Sequence, residues 1–487
     1  MKLKDNRVWP YVLPFPIEAE KRKLILAILQ SRVGMSILTG IKVDSHTFQH
    51  DLIGRSGCSN KSAIKYLNQM IGADILEQGM ERIKEDGKAA WKKWYAPTGL
   101  GKWIILFLTP PGEIPSKLAK QTIEELFRLY SSSVVEVCEK YGFLIDSFQQ
   151  VFDEQYIKST VMKARKIRPL VVVYGSAALD IYGDLERLPG IDETVYVEET
   201  SRCAGGMGAN VAVALARLKI PVAFVGRIGS DFVGRTLLES LAKNGVDISN
   251  VTITAQKSLR TLILHDKKGG RWLLALGSPN HALSVTSPSE IDWNQLDQSQ
   301  IVYIGEVFTE VASTVASYAK NRGKKVIYRP GAPYLRLGVE KIQGILENVN
   351  VFILNQVGWN LLQVSSMTQT KEPKELLKYG PETVILTRGQ KGSVAYTKEG
   401  NYVMPISAGM RVRFKTVDPT GAGDSLSAGL IKGLLEGWKL KKAISFGQIA
   451  ARIKCARLGA SPAFPTLEEV ETAFAEESLL GKKRNEV

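Results

Sequence analysis

Hydrophobic positions along this chain of 487 residues follow two different periods, and the change falls at Pro169. Before it, apolar residues recur at helical spacing. Leu24, Ile25, Ile28 and Leu29 form one stripe within Glu18–Ser31, whose opening turns are charged. Ala119, Ile123, Leu126, Tyr130, Val134, Val137 and Tyr141 form a second. It begins after Pro115, a residue suited to the first turn of a helix, and stops at Gly142. A further helical stretch from about Phe143 to Lys166 ends in the basic cluster Lys163, Arg165, Lys166 and Arg168. After Pro169 the pattern changes to short β-branched runs: Leu170–Tyr174, Pro221–Val225, Ile301–Ile304, Lys325–Tyr328, Val351–Leu354 and Thr383–Leu386. Helical stretches such as Asn210–Leu218 and Thr309–Asn321 separate them. Alternation at this spacing predicts parallel βαβ units with helices on both faces. Thr109-Pro110-Pro111-Gly112 can continue neither a helix nor a central strand. Three parts are therefore expected: residues 1–110, a helical linker over 111–168, and one large α/β domain over 169–487.

Composition narrows the class. Hydrophobic residues at 44% and charged residues at 23% match an ordinary globular protein. The longest apolar runs, Leu24–Leu29 and Trp103–Leu108, fall far short of the roughly 20 residues a bilayer span requires. The opening MKLKDNRVWPYVLPFP has no apolar h-region behind its lysines, so no secretory signal is expected. Cys58, Cys138, Cys203 and Cys455 are scattered and form no CxxC, which points to a reducing cytoplasm rather than a disulfide framework. The net charge of +15 is uneven. Residues 1–110 carry 17 basic and 10 acidic side chains, a balance of +7 that equals that of the far longer 169–487. A local excess of this kind favours a polyanionic partner, or simply solubility.

Within the basic segment, a short helix around Phe48–Ile53 ends at Gly54, and the turn Ser56-Gly57-Cys58-Ser59 follows. Ser59 can cap a helix over Asn60–Ile71. Two helices joined by a short Gly-containing turn are helix-turn-helix geometry. Ile75–Gly79 and Lys92–Thr98 then read as two strands around a charged loop. The order of parts resembles the winged helix-turn-helix domains of prokaryotic regulators, a likeness of pattern over about 90 residues. It implies duplex DNA contact through Ser59, Asn60, Lys61, Ser62 and Lys65, with Lys92 and Lys93 on the wing neutralising phosphates. The alternative is a protein-docking or dimerisation module whose lysines are merely solvated. His46 and His50 stand four residues apart near Cys58, but no complete ligand set accompanies them, and no metal site is expected.

The chemistry concentrates in the large domain. Asp418-Pro419-Thr420-Gly421-Ala422-Gly423-Asp424 precedes a helical run, so its glycines can turn successive N–H groups toward one point at a helix N-terminus. That is an anion site. A carboxylate beside it can take a proton from a hydroxyl attacking phosphorus. Alone, the segment reads equally as a Gly-rich turn. A second glycine-rich turn, Ala204-Gly205-Gly206-Met207-Gly208-Ala209-Asn210, opens another helix near the domain's start. Gly175-Ser176-Ala177-Ala178-Leu179-Asp180 puts an Asp at the C-terminal end of the first strand, where open α/β sheets bind ligands.

Together with GRIGSDFVGRTLLESLAKNGVD (Gly226–Asp247) and TRGQKGSVAY (Thr387–Tyr396), these segments resemble the ribokinase-like (PfkB) sugar and nucleoside kinases over about residues 169–475. The resemblance implies an α/β, ribokinase-like parallel-sheet domain with a small β lid from Val195–Arg202 and Thr261–Leu276; the first 168 residues are expected to place an α+β winged helix domain and a helical linker before it. It implies Asp424 as catalytic base, with Gly421, Ala422 and Gly423 supplying the N–H donors that stabilise the transferred phosphoryl. Asp180, Gly206, Asn210 and, by a looser match, Glu306 would bind sugar hydroxyls. Asn355, Thr387, Gly389, Gly392 and Thr420 would bind the nucleotide. ATP is the implied phosphoryl donor, with Mg2+ bridging its phosphates.

Two departures stand out. Where the family carries Asn-x-x-Glu after a strand, this chain has Asn355-Gln356-Val357-Gly358, and the Glu that acts near magnesium is missing. Met207 replaces a lysine found in ribokinase itself, which removes a donor to the sugar. Arg329, at the ligand-facing end of a strand, can meet a phosphate or carboxylate or can pair structurally. No GxxxxGK[ST] and no strand-linked GxGxxG occurs, which excludes a Walker loop and argues against hydride chemistry. The expectation is an ATP-dependent kinase of a sugar or nucleoside that is also a DNA-binding regulator, and a homodimer. The alternative is a metabolite-sensing regulator whose kinase-like domain turns over weakly or not at all. No membrane association is expected.

Overall fold

The computed structural model describes residues 18–85, 88–109, 115–268, 270–277, 285–367 and 371–485. The N-terminal 1–17 and the Pro110-Pro111-Gly112 break lie outside the described residues. The chain divides into two compact units, Met1–Gln149 and Gln150–Val487, so the segment expected as a linker is shared between them.

In the first unit, helices Ala19–Gln30, Arg32–Thr39, Gln49–Ser56 and Asn60–Gly72 precede the antiparallel strands Leu76–Glu85 and Lys88–Pro97, and helix Gly99–Leu108 follows. The helix expected to stop at Gly54 runs on to Gly57, whose left-handed φ of 62° ends it. Ser59 caps the next helix by accepting from Ser62 N at 3.3 Å. That helix buries Ala63, Leu67 and Met70 against Ile25, Ile28, Leu38 and Leu52. The two strands are longer than their apolar residues suggested, because backbone pairing carries them through charged positions as far as Glu85 and Lys88. Helix Ser116–Tyr141 buries Val134, Val137 and Cys138 and leaves Ile123, Tyr130 and Tyr141 exposed, so of the expected stripe only Val134 and Val137 are fully buried.

The second unit is built on an eight-stranded sheet. From one edge its strands are 400–404, 393–397, 383–387, 351–355, 325–328, 301–304, 171–174 and 222–225. The last six in that order are parallel, as alternation predicted, while 393–397 and 400–404 form an antiparallel hairpin at the edge. Alternate residues feed two cores. Val171, Val173 and Tyr303 pack with helices Met207–Arg217, Ala422–Leu435 and Leu440–Cys455; Val172, Tyr174 and Val302 pack with helices Thr309–Asn321 and Val339–Leu346. Full burial on both faces accounts for the unbroken apolar runs. A second sheet, in the order 271–276, 259–266, 178–185 and 198–205, forms the smaller β layer. Among the described residues, no helix is long and apolar enough to cross a membrane.

Candidate active site

The site lies along the C-terminal edge of the large sheet. Register brings Tyr174, Ile304 and Tyr328 level, so the residues just beyond them, including Ser176, Glu306 and Arg329, gather at one edge. Ser176 Oγ donates to Glu306 Oε2. Burial raises the Glu306 carboxyl above its usual range, against the opposing pull of that bond. Asp180 is placed differently from expectation. The first strand stops at Tyr174, and Asp180 sits on its own strand, 178–185, in the smaller sheet. Residues 175–177 carry the chain from one sheet to the other, which puts Asp180 under the small layer. Its carboxyl is pushed up to about 7, mainly by burial and further by Asp424, while a hydrogen bond from Thr261 and the nearby Arg271 oppose the rise.

The loop 418–424 is pinned from below. Asp418 Oδ1 accepts from Thr420 N at 2.8 Å and Thr420 Oγ1 at 2.6 Å, and Oδ2 accepts from Gly459 N at 3.0 Å. Lys454, fully buried, donates to Asp418 O at 2.7 Å. Burial alone would raise the Asp418 carboxyl, but the Thr420 bonds and the Lys454 ammonium hold it below the usual range. Gly421 then turns at φ 79°, a conformation that favours glycine, and starts helix Ala422–Leu435. One expected donor is corrected here: Ala422 N–H is taken by Pro419 O at 3.1 Å. Among the described residues, the amides of Gly421, Gly423 and Asp424 donate to no backbone carbonyl, and open donors at a helix N-terminus suit an anion.

Asp424 is buried beside these amides. Its Oδ2 accepts from Asn210 Nδ2 at 3.0 Å, and its Oδ1 pairs with Arg329 Nη1 at 2.5 Å. Asn210 Oδ1 is buried without a hydrogen-bond partner, and so is Arg271 Nε from the smaller sheet. Buried orphans are rare in folded proteins, so an acceptor and a donor left open at one site suit a hydroxylated ligand. Arg271 Nη2 also donates to Thr420 Oγ1 at 2.7 Å, tying the small sheet to the loop. Gly206 owes its place to backbone shape. Its φ is 90°, and a methyl group there would come within 2.6 Å of Ala178 N.

On the far side of the loop is a cavity of about 280 Å³, near the small end of ligand pockets (roughly 300–1,000 Å³). Thr387, Gly389 and Gly392 line it from one side, Ala422 and Gly423 from the other, with Arg452 and Gln448 behind. Thr420 and Asn355, expected with this group, are outside its wall. The Thr420 hydroxyl faces Asp418 and Arg271 instead. Asn355 Oδ1 caps helix Gln356–Ser365 by accepting from Gly358 N at 2.7 Å.

The residues present do not fit a protein-held magnesium ion. Among the described residues, no group of three His, Cys, Asp or Glu is placed to hold a metal. A side chain at Gly358 would meet Leu335 Cδ1 at 2.6 Å, so the space of the missing Glu is filled. Reading the sequence missed Arg271 and the Asp418–Lys454 pair as parts of the site. Asp418 stood in the quoted motif, but nothing in the sequence placed Lys454 beneath it.

The sheet order, small β layer and paired turns define an α/β kinase of sugar-type substrates, and comparison with known proteins agrees. The pfkB family of carbohydrate kinases matches residues 168–467, and the chain belongs to that family. It is 28% identical over 311 residues to the ribokinase of Lactococcus lactis, covering 63% of this chain and 97% of that protein. It is likewise 28% identical over 319 residues to the 5-dehydro-2-deoxygluconokinase of Geobacillus thermodenitrificans, covering 62% of this chain and 91% of the relative. The structure of Arabidopsis thaliana ribokinase complexed with ribose and ATP matches with a TM-score of 0.54 at 26% identity, covering 63% of this chain and 99% of that one.

Proposed function

We propose that the second unit transfers the γ-phosphoryl of ATP to a hydroxyl of a sugar or sugar derivative, with Asp424 as general base. One observation carries this reading: the Asp424 carboxylate is buried beside three open amides at a helix N-terminus, between the cavity of about 280 Å³ and the open Asn210 acceptor. Asp180 and Asn210 hold substrate hydroxyls, and Glu306 shapes the floor from Ser176. Thr387, Gly389 and Gly392 hold the nucleotide. The amides of Gly421, Gly423 and Asp424 meet the negative charge that grows on the moving phosphoryl. Relatives named for ribose and for 5-dehydro-2-deoxygluconate point to sugars as the first acceptors to try. The test is ADP release with ATP, magnesium and a panel of sugars and nucleosides, for wild type and Asp424→Ala. Turnover abolished by the substitution supports the kinase. Wild-type binding of sugar and nucleotide without turnover makes the domain a sensor.

For the first unit we propose docking on duplex DNA by a winged helix. Helix Asn60–Gly72 turns Ala63, Leu67 and Met70 inward and leaves Ser59, Asn60, Lys61 and Lys65 outward, with Ile64 exposed among them, and Lys92 and Lys93 lie on the neighbouring hairpin. A homodimer formed through the helices of 115–166 would present two such modules to two half-sites. DNA affinity should fall steeply with salt and drop several-fold on Lys61→Ala. Salt-independent or absent binding makes the unit a protein-docking module.

A further inference from the structure

Arg329 is a charge without a task in the reading above, and it stands at the reacting centre. Its N–H is anchored to Ile304 O at 2.9 Å at the end of a central strand. Its guanidinium packs so closely on Gly423 that any side chain there would overlap Nη2. Nη1 reaches Asp424 Oδ1 at 2.5 Å, and the side chain is only 17% exposed. A guanidinium stays charged in proteins, so a fixed cation lies against Gly423 and the Asp424 carboxylate, next to the open amides. Yet Gly358 offers no carboxylate to steer a divalent cation, and Leu335 closes the space. The chain lacks one source of positive charge near the phosphoryl and carries another of its own.

Resting on the kinase reading, we propose that Arg329 is a catalytic residue that binds the γ-phosphoryl and releases Asp424 for catalysis. Without nucleotide, the guanidinium is parked on the base, where it blocks proton transfer from water. With ATP in place, it turns to the non-bridging oxygens of the γ-phosphoryl, a match of planar donors to phosphate oxygens. The freed carboxylate takes the proton of the substrate hydroxyl. The substrate oxygen bonds to the γ-phosphorus as the bond from phosphorus to the β–γ bridging oxygen breaks, and ADP leaves with that electron pair. A cation at the transferred group stabilises charge that grows only in the transition state, so its loss acts on turnover rather than on sugar binding.

The test compares wild type, Arg329→Ala and Arg329→Lys on the sugar the wild type phosphorylates, with and without added guanidinium. Arg329→Ala should lose about 10²–10³-fold in kcat while the sugar KM stays within about threefold. Free guanidinium should restore at least about tenfold, a rescue that a packing role would not give. If the Ala variant does not fold, Arg329→Lys carries the test, with kcat down about tenfold at unchanged sugar KM. Unchanged kcat in the folded variants overturns the proposal. A loss confined to sugar KM also overturns it, and assigns Arg329 to an anionic group on the substrate. A wild type inactive on every sugar overturns the kinase reading together with this one; an active wild type with unimpaired variants overturns this one alone.

Discussion

The two glycine-rich turns that open helices in the second unit look alike as sequence and differ in what their glycines do. In 204–210, Gly206 and Gly208 serve contact between backbones, and Gly205 leaves room for the Asp180 carboxylate. A side chain at Gly208 would meet Gly175 Cα at 2.7 Å, and one at Gly206 would strike Ala177 and Ala178. Helix Met207–Arg217 is thereby pressed onto the crossing between the two sheets. In 418–424, Gly421 supplies a left-handed turn, and Gly423 leaves room for a guanidinium beside open amides. The first turn is mainly a joint, and the second leaves amides open beside a cation. A glycine pattern by itself does not tell them apart; what a Cβ would touch does.

Substitution can separate the two roles. The largest effect is expected at Gly423→Ala, which pushes Arg329 off the anion site: kcat should fall about 10²-fold while thermal stability shifts little. A loss of stability without loss of turnover would make the second turn a joint as well. At Gly206→Ala the order reverses. Positive φ and a backbone clash should lower unfolding free energy by about 2 kcal/mol or more, measured by urea denaturation, with folded protein keeping most of its kcat. Turnover lost at full stability would break the contrast. The smallest effect concerns Asp180. Its carboxyl is raised in the folded chain from the ordinary 3.8 to about 7, so the stability this proton binding gives is complete below about pH 4 and lost as pH rises through 7. Asp180→Asn should therefore gain on wild type across pH 4–7. The gain reaches about 1 kcal/mol at pH 7.5, where relief of the buried charge is partly offset by a weaker bond to Thr261. A pH-independent difference between the melting curves would place the charge elsewhere.

Much of the second unit was legible because its strands are buried on both faces, and runs such as Val171–Tyr174 and Ile301–Ile304 have one plausible fate. The small sheet was harder to read. Strand 178–185 mixes Ile181 and Tyr182 with Gly183 and Asp184, so its pairing depends on neighbours far along the chain. That is why Asp180 was assigned to the end of the preceding strand. The loop 418–424 announced itself by composition, yet which amides remain open was not legible. Ala422 loses its donor to Pro419 through a turn that only coordinates reveal. Lys454 sits 36 residues beyond Asp418 and reads in sequence as an ordinary helical lysine.

The contact of Leu335 with Gly358 has a consequence for engineering this enzyme. Restoring an acidic side chain at 358 by itself forces a collision with a buried leucine. Cutting back Leu335 by itself leaves a hole in the core. Neither single step is neutral, so a variant that again steers its metal by a carboxylate lies two simultaneous changes away, and a search by single substitutions would pass it by.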